Sequence, residues 1–277
     1  MKIAYLGPKG TFTSTAANKL IKLDKYKDAV FLPCSDIEEV LYGTEEGRYD
    51  YGVVPVENSI EGSVNTSIDI LINEVRLNVI YEIVLNINHN LAASSRLIKG
   101  EKIYSHPQAL AQCRMFLKKY YPDVEKIATR STLQSLEYIK EFPENSLAIV
   151  PSFSFEENDI KIVRKNIGDY EMNQTRFYLV SKKAEKPEKI VKSSVSFQLK
   201  DDRPGGLLEI MELFRDKGIN LTKIESRPAK HQLGRYIFIM DCEGDLSSEE
   251  NHIIIKSINE KSSKVKFLGA FGKIEAF

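Results

Sequence analysis

The chain has little cysteine, little histidine and no excess of charge of either sign. Cys34, Cys113 and Cys242 are three in 277 residues, far apart and odd in number. That excludes a disulfide framework and fits buried thiols in a reducing compartment. His89, His106, His231 and His252 are equally scattered, and neither set has the spacing that holds zinc. A glycine-rich nucleotide fingerprint is also missing. No metal and no cofactor are expected. Lys plus Arg and Asp plus Glu balance at 39 each, so no global field draws the protein to nucleic acid or to a membrane surface. Long apolar runs are absent too. The opening, Met1-Lys-Ile-Ala-Tyr-Leu-Gly7-Pro8, stops at Gly-Pro, too short for a signal-peptide core, and nothing approaches the length of a membrane span. The expected location is the cytoplasm.

What is present describes a soluble globular protein, 42% hydrophobic and 28% charged, long enough for two domains. Short apolar runs alternate with amphipathic stretches through residue 180. Strands are expected at 2–6, 51–54, 102–104 and 147–150, with helices at 13–23, 64–73 and 107–120. Such alternation argues for α/β layers built on parallel strands. Small and hydroxylated residues collect at the strand-to-helix turns: Gly7-Pro8-Lys9-Gly10-Thr11, then Glu57 to Asn65, then Ser105-His106-Pro107. Ser105 or His106 before Pro107 places a capping residue ahead of a proline at the first helical position. Turns of this kind can gather an anion at helix N-termini beyond the strand ends, or they can be ordinary helix caps.

Residues 183–193 are highly charged, contain Pro187 and lack an apolar period, so they read as a linker. Beyond them the pattern becomes strand (195–199), helix (206–217, ended by Gly218), strand (219–226), alternating strand (235–242), helix (247–259, capped by serine) and strand (265–270). That βαββαβ order is the ferredoxin-like layout.

Four separated segments carry a family resemblance. They are Pro55-Val-Glu57-Asn58-Ser59-Ile-Glu61-Gly62-Ser63-Val-Asn65, Ser105-His106-Pro107-Gln108-Ala-Leu-Ala-Gln112-Cys113, Asn173-Gln174-Thr175-Arg176-Phe177, and Asn220-Leu221-Thr-Lys-Ile-Glu225-Ser226-Arg227-Pro228. Together and in this order they resemble the monofunctional bacterial prephenate dehydratases, the last segment being similar to the ligand-binding loop of an ACT regulatory domain. The resemblance covers nearly the whole chain. It implies an α/β fold: a two-lobed catalytic domain like the type II periplasmic binding proteins over 1–182, with lobes of about 1–76 plus 158–182 and of 77–157. A linker at 183–193 and a ferredoxin-like (α+β) ACT domain over 194–277 would follow. It also implies cofactor-free conversion of prephenate to phenylpyruvate, feedback inhibition by L-phenylalanine, and a homodimer or a homotetramer made of dimers. The chain opens directly on its first strand, so no chorismate mutase domain is expected ahead of it.

By the same resemblance Thr175 is the catalytic hydroxyl. On its own it reads as a β-branched strand residue. Asn58, Ser105 and Gln112 would join it as neutral donors, useful where charge redistributes and a fixed charge would overbind the ground state. Without the resemblance Asn58 reads as a turn residue and Gln112 as a solvated helix position. Thr11, Glu57, Arg176 and Phe177 are assigned to substrate binding, with Glu57 orienting neighbours rather than touching a dianion. Arg176 suits a substrate carboxylate and a structural ion pair equally well. His106 packs or caps and stays outside the catalytic set. Gly205, Gly206, Leu207 and Leu208, with Asn220, Leu221, Glu225, Ser226, Arg227 and Pro228, form the expected phenylalanine site, Gly206 standing where alanine is commoner in the family. Two other readings remain open: an arogenate dehydratase, and a non-catalytic sensor on the same lobes.

Overall fold

The structure is a computed structural model that describes residues 1–151, 159–201, 203–229 and 234–275. The expected lobe boundary near 157–158 and His231 lie outside the described residues. In chain order the first region comprises β1 (Lys2–Leu6), α1 (Phe12–Lys19), β2 (Val30–Cys34), α2 (Ile37–Glu45) and β3 (Tyr51–Asn58). The two-residue β4 (Gly62–Ser63), α3 (Asn65–Asn73) and β5 (Asn78–Asn86) complete it. The second region holds β6 (His89–Ser94), β7 (Lys102–Ser105), α4 (Pro107–Gln112), α5 (Arg114–Tyr120) and β8 (Glu125–Ala128). It ends with α6 (Thr132–Glu141), β9 (Ser146–Pro151) and β10 (Ile160–Arg164). After β11 (Gln174–Ser181) come β12 (Lys192–Leu199), α7 (Gly206–Asp216), β13 (Leu221–Pro228), β14 (Tyr236–Glu243), α8 (His252–Lys261) and β15 (Ser262–Glu275).

Two sheets organise these elements. The smaller has the order β10-β6-β9-β7-β8 and forms the second lobe. Its middle strand, β9, is buried at every position, as expected of a strand covered on both faces. The larger runs β13-β14-β12-β15-β5-β11-β3-β1-β2 and carries both the first lobe and the C-terminal region. Parallel pairs β1–β2, β1–β3, β7–β8 and β7–β9 match the strand–helix alternation. Antiparallel β5, β6, β10 and β11 do not, because they carry the chain between lobes instead of following crossover helices. Hence β5 lies in the first lobe's sheet although 77–157 was expected to form the second, and β10 lies in the second lobe's sheet.

Local departures from the expected elements have identifiable causes. The helix expected at 107–120 breaks at Cys113 (φ −115°, ψ 14°). There the Asp169 carboxylate accepts the N–H groups of Met115 at 2.8 Å and Phe116 at 3.0 Å, supplying a fresh N-terminal cap. The helix expected from 247 begins at His252. Asp245 engages Ser247 N at 2.7 Å and Ser248 Oγ at 2.9 Å, which holds a turn against the helix.

The C-terminal region has the order β13-β14-β12-β15 with α7 and α8 packed over Phe197, Ile210, Phe214, Met240 and Ile258. This is the expected ferredoxin-like arrangement. It is joined edge to edge with the first lobe, since Gly272–Glu275 run parallel to Tyr81–Val84 of β5. Gly269, at φ +139°, permits the approach: a Cβ there would stand 2.6 Å from the Val79 carbonyl oxygen. One apolar core spans the junction, placing Val54, Ile68 and Leu71 with Ile237, Ile239 and Phe271. The charged segment expected as a linker also makes fixed contacts. Glu185 accepts from Tyr51 Oη at 2.8 Å and pairs with Lys25, while Lys186 lies 3.4 Å from Asp245. All three cysteines are free and buried.

Candidate active site

A cleft of about 420 Å³ opens between the two lobes, inside the roughly 300–1,000 Å³ span of small-molecule sites. Thr11 and Phe12 face it from α1, Asn58 from the end of β3 and Thr175 from the start of β11. The second lobe contributes Ser105 from β7, Gln112 from α4 and Ser131-Thr132 from the start of α6. Among the described lining residues Arg130 is the one arginine or lysine, and no carboxylate is present.

A connected set of neutral side chains runs through this cleft. Asn58 is 7% exposed, and its amide oxygen accepts from Ile60 N at 3.0 Å and Glu61 N at 3.1 Å. Those two donors fix which end of the amide is which, so Nδ2 is the end facing Thr175. Nδ2 donates to Thr175 Oγ1 at 2.9 Å and to Asn173 Oδ1 at 2.9 Å. Since a hydroxyl carries one proton and two lone pairs, a bond that takes a lone pair leaves the Thr175 proton available to the cleft. Asn173 passes the chain onward, its Nδ2 donating to Gln112 Oε1 at 2.9 Å. That oxygen also meets His89 Nε2 at 2.8 Å, which makes Nε2 the protonated ring nitrogen. Burial lowers the His89 pKa, outweighing the opposing Gln112 bond, so the ring is neutral near pH 7. The other arm of Gln112 donates to Glu61 Oε1 at 2.7 Å.

Other expected residues divide. Ser105 is buried and donates to the Ile149 carbonyl at 3.1 Å. Thr11 caps α1, accepting from Ser14 N at 3.2 Å and donating to the Pro8 carbonyl at 3.0 Å. His106 caps α4, Nδ1 accepting from Gln108 N at 3.3 Å. Glu57, Arg176 and Phe177, assigned above to substrate binding, are not among the lining residues. Phe177 is 1% exposed and sits in the apolar core beside Ile83 and Leu179. Arg176 turns to the opposite face of β11 from Thr175, as alternate residues of a strand must. It reaches Asp241 at 2.6 Å, Glu82 at 2.8 Å and Glu57 at 3.4 Å. His89, Asn173, Ser131 and Thr132 were missed. Asn173 opened a quoted motif, and Ser131 ahead of an amphipathic helix is a capping signal; His89 gave no signal of its own.

The ferredoxin-like domain meets the first lobe through charge. Lys223 lies 3.3 Å from Glu57 and 3.1 Å from Glu225. Ser63 Oγ donates to Glu225 at 2.6 Å, and Arg227 bonds Asp69 at 3.1 Å and Asn65 at 2.7 Å. Thus Glu225 and Arg227 point at α3 and the β3–α3 turn, while Ser226 and Pro228 alternate outward and are exposed. Gly205 caps α7 at φ +83°, a left-handed conformation that glycine adopts without strain. Leu208 is exposed and Gly206 is buried.

Fold and site together define a two-lobed α/β protein with a cleft lined mainly by neutral side chains between its lobes and a ferredoxin-like domain after them. The family model described as prephenate dehydratase matches residues 3–185, and that of the ACT domain matches 193–251. The chain belongs to the prephenate dehydratase family and ends in an ACT domain. It is 40% identical to a bifunctional chorismate mutase/prephenate dehydratase of Aquifex aeolicus over 274 residues, 99% of this chain and 74% of that one. It is 38% identical to a prephenate dehydratase of Lactococcus lactis subsp. lactis over 279 residues, covering 98% and 97%. The solved prephenate dehydratase of Arthrobacter aurescens, in complex with L-Phe, superposes with a TM-score of 0.85 at 30% identity, covering 98% of this chain and 90% of that one.

Proposed function

We propose that the cleft converts prephenate to phenylpyruvate by supplying a hydrogen bond from Thr175 Oγ1 to the departing ring hydroxyl. In this reaction the C–C bond to the ring carboxylate breaks and carbon dioxide leaves. That electron pair enters the ring and the C4–O bond breaks as the ring becomes aromatic, the leaving oxygen departing as hydroxide that takes a proton from solvent to become water. The protein has to assist the leaving oxygen and hold the substrate still. A threonine hydroxyl is a weak Brønsted acid, so its contribution is a donor aimed where negative charge develops. The observation that carries this reading is the Asn58 Nδ2–Thr175 Oγ1 bond, which leaves the Thr175 proton for the substrate. Gln112 adds an amide N–H, Ser105 offers its oxygen as an acceptor because its proton goes to the Ile149 carbonyl, and Thr11 holds the N-terminus of α1 against the same space.

Arg130 as the cationic lining residue, with no carboxylate among the described lining residues, suits prephenate, a dianion. It supports the keto acid over arogenate, whose side chain carries an ammonium group needing an anionic partner. Regulation fits the same frame. L-phenylalanine would bind at Gly205–Leu208 with Asn220, Leu221 and Glu225–Pro228, and exposed Thr222, Ile224 and Ser226 on edge strand β13 suit the pairing of ACT domains in a homodimer or a dimer of dimers. No helix of the described residues is long and apolar enough to cross a membrane, in keeping with work in the cytoplasm. The test is direct comparison of kcat/KM on prephenate and arogenate with the purified chain. Turnover of prephenate at least tenfold more efficient is expected; a preference for arogenate, or no turnover of either, would overturn the proposal.

A further inference from the structure

The residue next to Thr175 has no place in the cleft, yet it stands within ion-pair distance of three carboxylates on the far face of its strand. Arg176 Nη1 lies 2.6 Å from Asp241 Oδ2 of β14 and 3.4 Å from Glu57 Oε2 of β3, and Nε lies 2.8 Å from Glu82 Oε2 of β5. The guanidinium also sits over the rings of Tyr178 at 4.8 Å and Phe271 at 5.9 Å. Glu82 and Asp241 are each 1% exposed, and Glu82 is held from its other side by Lys192 at 3.0 Å. A buried cation between buried carboxylates cannot relocate without stranding charge, so the guanidinium is a fixed point. It ties β11 to three other strands, one of them in the ACT domain.

Fixing is needed at this point of the sheet. Against β3, Thr175 pairs with Asn58 and Arg176 with Glu57, but Phe177 pairs with Pro55. The register therefore skips Val56 just after the Arg176–Glu57 pair, one pair beyond Thr175–Asn58. A bulge re-aims side chains and weakens the ladder that would hold them. Arg176 stands at that irregularity, and its partners hold from the far face what the ladder does not.

We propose that Arg176 is a positioning residue for the dehydration: Asp241 of the ACT domain and Glu82 grip its guanidinium, and this sets β11 so that the Thr175 hydroxyl meets Asn58 and faces the substrate. The ACT domain thereby completes the catalytic geometry as well as carrying an inhibitor site. The inference rests on Thr175 carrying the chemistry.

The experiment is a four-corner comparison in the full-length protein: wild type, Asp241→Asn, Thr175→Ala and the double variant, each checked for folding by its thermal transition. Asn in place of Asp keeps the shape and removes the charge. A misplacement of about 1 Å can cost on the order of 10²-fold, so partial slackening in Asp241→Asn should lower kcat about tenfold, with KM within about twofold. In the Thr175→Ala background the same change should cost less than about twofold, because there is no hydroxyl left to position. Unchanged kcat in folded Asp241→Asn overturns the proposal. Equal losses in both backgrounds also overturn it, leaving Arg176 a general structural tie. If Asp241→Asn does not fold, Arg176→Met with Asp241→Leu replaces it in the same comparison; that pair removes both charges and leaves Glu82 on Lys192. Near-normal turnover in Thr175→Ala alone would instead sink the parent reading, and is read separately.

Discussion

The two faces of β11 are furnished with opposite chemistries. Toward the cleft, Thr175 belongs to a run of neutral groups, Asn58, Asn173, Gln112 and neutral His89, each bonded to the next. Toward the ACT domain, Arg176 lies among Asp241, Glu82 and Glu57, with Lys192 and Lys223 beyond. Neutral donors can follow a redistribution of charge without favouring the dianionic ground state. Buried ion pairs do the reverse: they resist change, since separating them leaves an unpaired charge. One strand thus carries a face of neutral, adaptable groups toward the cleft and a face of buried ion pairs toward the second domain.

The largest effect should come from the cleft face. Thr175→Ala should lower kcat by about 10²-fold or more with KM changed far less, the scale of a lost acid or oriented donor. Thr175→Ser should keep appreciable activity, because the hydroxyl survives; steady-state kinetics on prephenate distinguishes the two. Next is Asn58→Asp. A carboxylate there accepts the Thr175 proton and turns it from the substrate, so kcat should fall roughly 10- to 100-fold, somewhat below the loss of a whole oxyanion-stabilising donor. Little change would mean that the direction of the Asn58–Thr175 bond is irrelevant.

Smaller effects are expected on the rigid face away from Arg176. Arg227→Met removes bonds to Asp69 and Asn65, and the protein should lose about 1.5–3 kcal/mol, the range for hydrogen bonds to charged groups. Turnover should stay near wild type. Chemical denaturation with parallel assays would check this, and a large loss of kcat with intact stability would blur the division between faces. The smallest effect is pH-linked. Burial lowers the His89 pKa in the folded protein, so the unfolded chain takes up protons first as pH falls. The stability associated with neutral His89 is full above the ordinary histidine pKa of about 6.5 and declines as pH drops from there toward the folded value. Thermal transitions from pH 7.5 to 5.5 should fall more steeply in wild type than in His89→Gln. Parallel curves would remove His89 from the linkage.

How legible all this was in the sequence depends on the distance over which a contact acts. Strand and helix positions followed from local periodicity, and Asn58, Ser105, Gln112 and Thr175 were found because they sit in quoted motifs. For Arg176 a substrate carboxylate and a structural ion pair fit the sequence equally well, and strand alternation, which turns it to the face opposite Thr175, favours the ion pair that the structure has. Its deciding partners, Asp241 and Glu82, lie 65 and 94 positions away (241 − 176 and 176 − 82), and no local pattern encodes such a meeting. Likewise His89 enters the site through a bond to Gln112 across 23 residues. The charged stretch at 183–193 looked solvated because its partners, Lys25, Tyr51 and Asp245, are remote. The split helix at Cys113 depended on Asp169, 54 residues from the amide it caps.

The most direct test of the Thr175 proton's role is kcat for Asn58→Asp measured in the Thr175→Ala background. If Asn58 acts by freeing that proton, the aspartate should cost less than about twofold once the hydroxyl is gone, against roughly 10- to 100-fold in wild type. A loss of the same size in both backgrounds would contradict it, and would show that Asn58 acts on the substrate without Thr175.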